Sequence, residues 1–265
     1  MPSHDFRTPR VYLDAPLVAG AEVPLDRDRA NHLLNVLRRK RGDAVLLFNG
    51  RDGEWKGELA ATGKRTLTAV VGERTREQPH LRDLQFLFAP LKHARLDYLV
   101  QKAVEMGASR LQPVITRHTQ VARVNLVRMR ANVIEAAQQC GVLAIPDVAE
   151  PMAFDRMAGK IGDDRLLVFC DEEADVKDPV STLAAWRLPA SALLPADMAR
   201  TGMALAVLIG PEGGFAEEER SVLLGRRNVV RLALGPRILR ADTAAVAALT
   251  LVQAVLGDWR DGDQT

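Results

Sequence analysis

The sequence predicts an α/β protein in which a small β-rich domain precedes a larger domain with a mostly parallel sheet. Short strand patterns fill residues 1–74, and apolar runs alternate with helical patterns over residues 84–265. A charged stretch that contains Pro79 lies between them and is interpreted as a linker, residues 75–83. The chain is therefore predicted to fold as two domains.

The first domain is predicted from one helical pattern and several short strands. A strand is expected at Val11–Leu13, and the apolar spacing within Asp26–Arg39 is typical of a helix. Alternating strands follow at Ala44–Phe48, Glu54–Ala60 and Thr66–Val71, with glycine-containing turns between the first two. Short strands with one helix favour a small β-barrel.

The second domain begins with three strand patterns and two helical patterns. The strands are predicted at Leu84–Ala89, Leu111–Ile115 and Leu166–Cys170. The helices are predicted at Leu96–Met106 and Leu126–Cys140, and a glycine follows each of them. Because strand and helix alternate to the end of the chain, the sheet is predicted to be mostly parallel.

Two further apolar runs, Leu205–Ile209 and Val229–Leu234, each lead into a loop that contains glycine and proline. The first loop, residues 210–214, has glycine at three of its five positions, so its backbone can approach a ligand closely. The second loop, residues 235–240, begins with glycine and proline. Open α/β sheets bind ligands at the carboxyl ends of their strands, so we predict a ligand site at these loops. Two ordinary strand-to-helix turns are the alternative.

The helices that follow the two loops have their own signals. Glutamates at positions 217–219 suit the positive end of a helix dipole. Asp242 or Thr243 is predicted to cap the last helix, and Gly257 to end it. Apolar residues cover more than one face of Thr243–Leu256, so either a second subunit covers one face or the helix is buried within one subunit. We predict a homodimer.

The class of ligand follows from what the loops lack. Neither loop matches the GxGxxG or GxxxxGK[ST] patterns that cradle nucleotide phosphates. Three successive glutamates after the first loop would also repel a phosphate. A neutral or cationic adenosine-like molecule fits this chemistry better.

The charge of the chain is unevenly distributed. The net charge is +9 over residues 1–130 and −7 over residues 131–265, which together give +2. A basic half beside an acidic half favours a polyanionic partner that docks on the first half. The alternative is a solvated surface whose uneven charge distribution serves no binding function.

Several classes of protein are disfavoured by the composition. The sequence contains no run of 18 apolar residues, so no membrane-spanning helix is expected. Its first residues are polar and therefore unlike a secretory signal peptide. The two cysteines and five histidines have no metal-ligand spacing, so we expect no metal and no disulfide framework. These features predict a protein of the reducing cytoplasm.

Several stretches of the sequence carry a resemblance to a known family. The stretch IGPEGGF at the first loop resembles the cofactor loop of SPOUT-class RNA methyltransferases. The stretch LGPRILRADTA resembles the LGxRILRxETA motif of the RsmE family, with Asp242 where the family usually has glutamate. The stretches HLLNVLRRKRGD and LFNG resemble that family's PUA-like RNA-binding domain, and QKAVEMGA resembles its QKATELGV. EAAQQCG also matches, but Val142 stands where the family has arginine.

The resemblance implies a fold and an activity. It implies a SPOUT-type domain with a deep trefoil knot after the PUA-like barrel, and homodimers that pair through helices of the knot. It also implies transfer of a methyl group from S-adenosylmethionine to N3 of a uridine in 16S ribosomal RNA, on the RNA or the small ribosomal subunit. The implied cofactor-binding residues are Leu208, Ile209, Gly210, Pro211, Glu212, Gly213, Gly214, Leu234, Gly235, Ile238, Leu239 and Thr243.

Uridine N3 carries a proton, so the reaction needs a base or a cation that stabilises the uridine anion. Arg240 is the candidate cation because it ends the second loop; the alternative is a helix N-terminal arginine paired to Glu212 or Asp242. Glu105 is a candidate base; the alternative is an ion pair with Lys102 on the same helix face. The predicted RNA-binding residues are Arg10, Arg38, Arg39, Lys92, Lys102 and Arg117.

Two other functions remain open at this point. Another SPOUT enzyme, such as a ribose 2′-O-methyltransferase, would share the knot and the cofactor but lack the RILR loop. A non-catalytic RNA-binding protein would retain only a vestigial pocket. The stretch Leu188–Thr201 is interpreted as a surface insertion, and the sequence indicates no function for it.

Overall fold

A computed structural model of the chain describes residues 5, 7–62, 66–121, 123–175, 178–186 and 203–260. Two compact units are present. The first is formed mainly by Met1–His80 with Ile134–Ile145, and the second by Leu81–Val133 with Pro146–Gln264. The grouping of Ile134–Ile145 with the first unit was not predicted from the sequence. The insertion predicted at residues 188–201 lies outside the described residues.

The first unit is built on a five-stranded sheet. Its strands are β1 (Arg10–Tyr12), β2 (Glu22–Pro24), β3 (Ala44–Phe48), β4 (Glu54–Thr62) and β5 (Thr66–Arg76). Their order in the sheet is β1-β3-β4-β5-β2, with β1 parallel to β3 and the other pairs antiparallel. Strand β2 was not predicted, since three residues that end in proline carry little strand pattern.

One short helix lies beside this sheet. Helix α1 (Arg27–Asn31) starts at the cap residue Asp26, whose carboxylate accepts a hydrogen bond from the Arg29 amide at 2.8 Å, and it continues as a π-helical turn over His32–Val36. The helix stops short of the predicted end at Arg39, because Arg38 has a φ of +53°. Leu33 is 1% exposed and packs into the core of this unit.

The second unit is built on a sheet whose pairs are all parallel. Its strands are β6 (Leu84–Phe88), β7 (Arg110–Ile115), β8 (Asp147–Val148), β9 (Met152–Ala153), β10 (Leu166–Cys170), β11 (Leu205–Ile209) and β12 (Val229–Leu232). The order is β12-β10-β11-β6-β7-β8, and β9 also pairs with β7. The parallel sheet confirms the α/β class predicted from the alternation of strands and helices.

Helices connect these strands. They are α2 (His93–Glu105), α3 (Leu126–Cys140), α4 (Phe154–Lys160), α5 (Pro179–Ala185), α6 (Glu217–Leu224) and α7 (Ala241–Val255), followed by a 3-10 turn at Asp258–Arg260. The short helices α4 and α5 were not predicted, because seven residues give too little periodicity to separate a helix from a loop.

The position of β10 decides where the two predicted loops lie. Cys170, the last residue of β10, pairs with Ile209 of β11 on one side and with Leu232 of β12 on the other. The two loops therefore leave the sheet at the same edge, separated by one strand. All five residues of β11 are buried, as expected for a strand covered on both faces.

The predicted N-cap of the last helix is corrected by the structure, whereas the predicted glycine at its end agrees with it. Arg240, with φ −66° and ψ 151°, is the N-cap residue, and the helix begins at Ala241. The Asp242 carboxylate accepts from the Thr243 amide at 2.9 Å and is engaged by a neighbouring arginine, so neither residue caps the helix. Leu256 is the C-cap residue and Gly257 follows it.

Among the described residues, no helix is both long and apolar enough to cross a membrane. Within the same part of the chain, no group of three or more histidine, cysteine, aspartate or glutamate side chains is arranged to hold a metal ion.

Candidate cofactor site

A cavity of about 460 Å³ lies where β10, β11 and β12 end. Its size is within the range of pockets that hold drug-sized ligands. The sheet supplies its floor, and the first and second loops supply its walls. The lining residues are Cys170, Asp171, Glu172, Ile209, Gly210, Pro211, Glu212, Gly214, Phe215, Leu232, Ala233, Leu234, Gly235, Pro236, Arg237, Ile238, Leu239, Arg240, Ala241 and Ala244.

The first loop is packed tightly against the protein core. A Cβ atom at Gly210 would lie 2.5 Å from the Phe215 ring. That ring is itself 9% exposed and lies edge-on to Phe169, with centroids 5.1 Å apart. Gly214 has a φ of +70°, and its amide donates to the Pro211 carbonyl at 3.0 Å. Packing and a turn hydrogen bond thus hold this loop in one conformation.

An arginine from helix α2 ties the two walls together. Arg95 lies at the start of α2, donates from Nη1 to the Glu212 carboxylate, and donates from Nε to Asp242 Oδ2 at 3.1 Å. Glu212 belongs to the first loop, and Asp242 lies just after the second. The hydrogen bond from Arg95 lowers the pKa of Asp242 below its ordinary value, against the opposing effect of burial. We refer to these three residues as the arginine clamp.

The second loop has far fewer contacts. Gly235 has a φ of +106°, and a Cβ atom built on it would meet no atom within 4 Å. Ile238 is 95% exposed. Arg237 and Arg240 are exposed, and among the described residues neither side chain has an ion-pair partner. The tip of this loop therefore presents two free cations and one apolar side chain at the cavity rim.

The floor of the cavity contains a buried carboxylate. The Asp171 side chain is 1% exposed and accepts hydrogen bonds from Arg220 of α6 and Arg231 of β12. Two cations on one carboxylate offset its loss of hydration and tie the end of β10 to both neighbouring elements. Beside it, burial and the Asp171 charge raise the pKa of the Cys170 thiol to about 12, so the thiol is neutral at physiological pH.

Most of the predicted cofactor residues line the cavity, and three do not. Leu208 is fully buried within β11, and a Cβ at Gly213 would face His118 Cβ at 3.4 Å rather than the cavity. Thr243 is exposed on α7, and Ala244 lines the cavity instead.

The sequence analysis missed the contribution of β10. No ligand-site residue was predicted after β10, although Asp171, which is 3% exposed, and Glu172 both line the cavity. The available signal was acidic residues that directly follow a buried strand. The sheet order, in which β10 lies between β11 and β12, could not be predicted from the sequence.

The two predicted catalytic residues lie in different places. Arg240 lines the cavity, and the clamp residue Arg95 holds the Glu212 and Asp242 carboxylates that the alternative interpretation paired with Arg240. Glu105 is in the last turn of α2, which leads to the amino end of β7, at the opposite edge of the sheet from the cavity. Its carboxylate accepts from Lys102 Nζ at 2.7 Å, so the ion-pair interpretation describes it.

In the first unit, Arg10 lies away from solvent. Its side chain is 4% exposed and donates from Nε at 2.7 Å to Glu54, which is equally buried. This contradicts the surface role predicted for Arg10. Arg38 is exposed, and Arg39 donates from Nη2 to the Arg7 carbonyl at 2.8 Å.

In the second unit, Lys92 and Arg117 are exposed. Lys92 precedes α2, and Arg117 pairs with Glu218 at 3.3 Å. Lys102 is held by Glu105 and lies 5.5 Å from the centre of the Tyr98 ring. Lys102 is therefore engaged within its own helix, whereas the other two cations reach solvent.

The cavity suits a sulfonium cofactor with an adenosine group. Its apolar walls, which include Ile209, Leu234 and Leu239, offer a surface for a flat base. The Glu172 and Glu212 carboxylates at the same cavity favour a cation. The open space beside Gly235 leaves room for a ligand to approach the backbone of the second loop.

Comparisons with known proteins agree with this assignment. Residues 77–253 match the family described as RNA methyltransferase domain, and residues 25–72 match RNA methyltransferase PUA domain. A ribosomal RNA small subunit methyltransferase E from Rickettsia conorii is 28% identical over 92% of this chain and 94% of that protein. The protein of the same name from Bacillus subtilis is 28% identical over 85% of this chain and 87% of its own length.

The fold is also similar to those of solved methyltransferase structures. The crystal structure of a Neisseria gonorrhoeae ribosomal RNA small subunit methyltransferase E bound to S-adenosylmethionine superposes with a TM-score of 0.77 at 27% identity, over 96% of this chain and 100% of that one. A Legionella pneumophila protein solved with the same cofactor gives a TM-score of 0.75 at 27% identity, over 94% and 98% of the two chains. The chain belongs to the RNA methyltransferase family that includes ribosomal RNA small subunit methyltransferase E.

Proposed function

We propose that the protein transfers a methyl group from S-adenosylmethionine to N3 of a uridine in 16S ribosomal RNA. The observation that carries this proposal is the cavity between the two loops, with Arg240 at its rim and without an ion-pair partner in the part of the chain that the structure describes. The family match and the cofactor-bound relatives support the same reaction.

The cofactor, when bound, supplies an electrophilic methyl group that needs a correctly placed nucleophile. The protein's part is to hold both reactants in line and to exclude water. The tightly packed first loop and the arginine clamp set the position of one wall. The second loop, which is open to solvent, closes the remaining side against the RNA.

Arg240 has the role of a cation beside the target base. Loss of the N3 proton leaves negative charge on the uridine, and a guanidinium near the rim lowers the energy of that anion. Arg240 is suited to this role because the neighbouring carboxylates of Glu212 and Asp242 are already held by Arg95. Glu105 has no place in this proposal, because it lies at the other edge of the sheet.

RNA is bound through cations in both units, of which Arg39 is half-buried and the others are exposed. Arg38 and Arg39 of the first unit, and Lys92 and Arg117 of the second, are proposed to contact phosphates. Arg10 is left out because its guanidinium is buried against Glu54.

We further propose the family's trefoil knot, a cytoplasmic location and a homodimer. The placement of β10 between β11 and β12 supports the knot. For the dimer, Val246, Leu251 and Val255 of α7 are only half-buried within one chain. A second copy of the chain is a natural cover for them, and light scattering should then report twice the mass of 29.1 kDa.

The test is methyl transfer to small ribosomal subunits purified from cells that lack the enzyme. We expect a cofactor-dependent gain of one methyl group, which mass mapping of the 16S RNA places on the base of a uridine, with N3 identified by chromatography against nucleoside standards. Methyl transfer to a ribose 2′-oxygen would replace the proposal with the alternative reaction. Cofactor binding without any transfer to RNA would refute the enzymatic function.

A further inference from the structure

The tip of the second loop exposes an isoleucine at the mouth of the cavity. Ile238 is 95% exposed, and no other large apolar side chain in the described part of the chain is as exposed; Val127 on α3 follows at 78%. Leaving an isoleucine in water forgoes the stabilisation that its burial would give. A partner that binds at the rim of the cavity would therefore gain stability by covering this side chain.

The charges around Ile238 indicate the chemistry of that partner. Arg237 and Arg240 lie on either side of it in sequence, and among the described residues no carboxylate is paired with either. Two acidic residues of the cavity walls, Glu212 and Asp242, are both paired with Arg95. The tip thus combines one apolar side chain with two unpaired guanidinium groups, a pattern that suits a nucleic-acid strand better than a basic or neutral surface.

The reaction itself creates a place for an apolar side chain. Uridine N3 is on the base-pairing edge, so a target base that is paired or stacked must be displaced before a methyl group can reach it. Removal of a base leaves a gap between its neighbours. Proteins that displace or unstack bases commonly fill such gaps with an apolar wedge and hold the flanking phosphates with arginine.

We propose that Ile238 enters the RNA stack beside the displaced uridine, while Arg237 contacts a flanking phosphate. This inference rests on the proposed methylation of a uridine base. It assigns the second loop to the RNA as well as to the cofactor, with Arg240 facing the target base and Ile238 facing its neighbours. The first loop, which has no comparable exposed apolar side chain, serves the cofactor alone.

The experiment compares two measurements for each variant. One is kcat/KM for methyl transfer to small ribosomal subunits from cells that lack the enzyme, and the other is the affinity for S-adenosylmethionine by calorimetry. We expect Ile238→Ala to lower kcat/KM about tenfold or more, since it removes most of the apolar surface of the wedge, and to change cofactor affinity less than about twofold. Ile238→Leu should keep kcat/KM within about threefold of the wild type, because the apolar volume is kept.

Two further variants sharpen the result. Val127→Ala truncates another exposed aliphatic side chain, on α3, and should leave both measurements unchanged. Arg237→Gln should reduce kcat/KM and make it less sensitive to salt, by a slope of about one in the double-logarithmic plot.

Three outcomes for Ile238→Ala would contradict the proposal that this side chain enters the RNA stack. An equal loss of cofactor affinity and kcat/KM in Ile238→Ala would make the side chain a cover for the cofactor. A halved mass of that variant in light scattering would place Ile238 in a subunit interface. Unchanged kcat/KM with an active wild type would remove any role for Ile238. A wild type that transfers no methyl group would instead refute the proposed function on which the inference rests.

Discussion

The two loops of the cavity differ in how firmly the rest of the protein holds them. The first loop packs on Phe215, closes a turn between Gly214 and Pro211, and is tied to α2 through Glu212. The second loop has open space beside Gly235, an isoleucine in solvent and two arginines without ion pairs among the described residues. Both loops line the same cavity.

This difference indicates that the two loops have different roles in substrate binding. A wall that is already ordered loses little entropy when a ligand binds, so it favours affinity for a small cofactor. A wall with unsatisfied cations and exposed apolar surface gains its contacts only when a second partner arrives. A transferase needs both properties, because it must hold one substrate while it receives the other. If the first loop is as rigid as its packing indicates, substitutions that disturb that packing will weaken cofactor binding.

The largest expected effect comes from filling the space at Gly210. In Gly210→Val, the new side chain would meet the Phe215 ring at 2.5 Å, and that ring is packed against Phe169 in the core. Either the ring or the loop must move, at a cost of about 2 kcal/mol. We expect cofactor affinity to fall at least about thirtyfold, measured by calorimetry, together with a lower thermal unfolding midpoint.

Two other glycines serve as controls for this variant. A Cβ at Gly213 would meet His118 at 3.4 Å, an ordinary contact, so Gly213→Ala should keep cofactor affinity within a few-fold of the wild type. In Gly235→Ala the new atom meets nothing, but the φ of +106° is strained for alanine, and we expect a loss of about 1 kcal/mol in stability. If Gly210→Val binds the cofactor as well as Gly213→Ala does, the first loop is not rigid.

A smaller effect is expected from breaking the arginine clamp. Arg95→Leu removes the cation between Glu212 and Asp242 and leaves two carboxylates facing each other. The Arg95 side chain is 31% exposed, so solvent screens part of the interaction, and about 1 kcal/mol of loop ordering is at stake. We expect cofactor affinity to fall about fivefold to tenfold, with little change in thermal stability.

The control for the clamp is an arginine–aspartate pair far from the cavity. Arg110 and Asp147 lie at the amino ends of neighbouring strands, 3.0 Å apart and well exposed. Arg110→Leu should leave cofactor affinity unchanged. Equal affinities in the two leucine variants would mean that Arg95 holds the helix α2 surface and not the cofactor wall.

Much of this architecture was predictable because it depends on local patterns. Strands β3, β10 and β11 and helix α3 have the bounds that apolar runs and helical periodicity predicted, since continuous burial leaves a clear signal in sequence. The location of the ligand site followed from loops at the carboxyl ends of parallel strands. The family's motifs lie on those same loops.

The remainder depends on contacts between residues far apart in sequence. Arg95 is 117 residues from Glu212 and 147 from Asp242, and nothing in its own neighbourhood marks it as part of the site. Arg10 was misjudged for the same reason: its partner Glu54 is 44 residues away, and a basic residue near the chain start resembles a surface cation until that partner is known. Charge alone does not separate a buried ion pair from an exposed one.

The smallest expected effect is the acid sensitivity of the clamp. Arg95 holds the pKa of Asp242 below its ordinary value of 3.8, mainly through their hydrogen bond. Because the folded pKa is the lower one, the unfolded chain takes up this proton first. The stability that Asp242 contributes is therefore complete above pH 3.8 and is lost as the pH falls through the folded pKa.

Urea unfolding of the wild type and Asp242→Asn at a series of pH values measures this contribution directly. We expect the wild type to be more stable by about 1 kcal/mol near neutral pH and the difference to vanish in acid, because asparagine cannot be protonated in this range. The same comparison in the Arg95→Leu background should show almost no pH dependence, since the cause of the shift has been removed. A pH-dependent difference of the same size in both backgrounds would show that the low pKa of Asp242 arises from the start of helix α7, whose Thr243 amide also donates to this carboxylate.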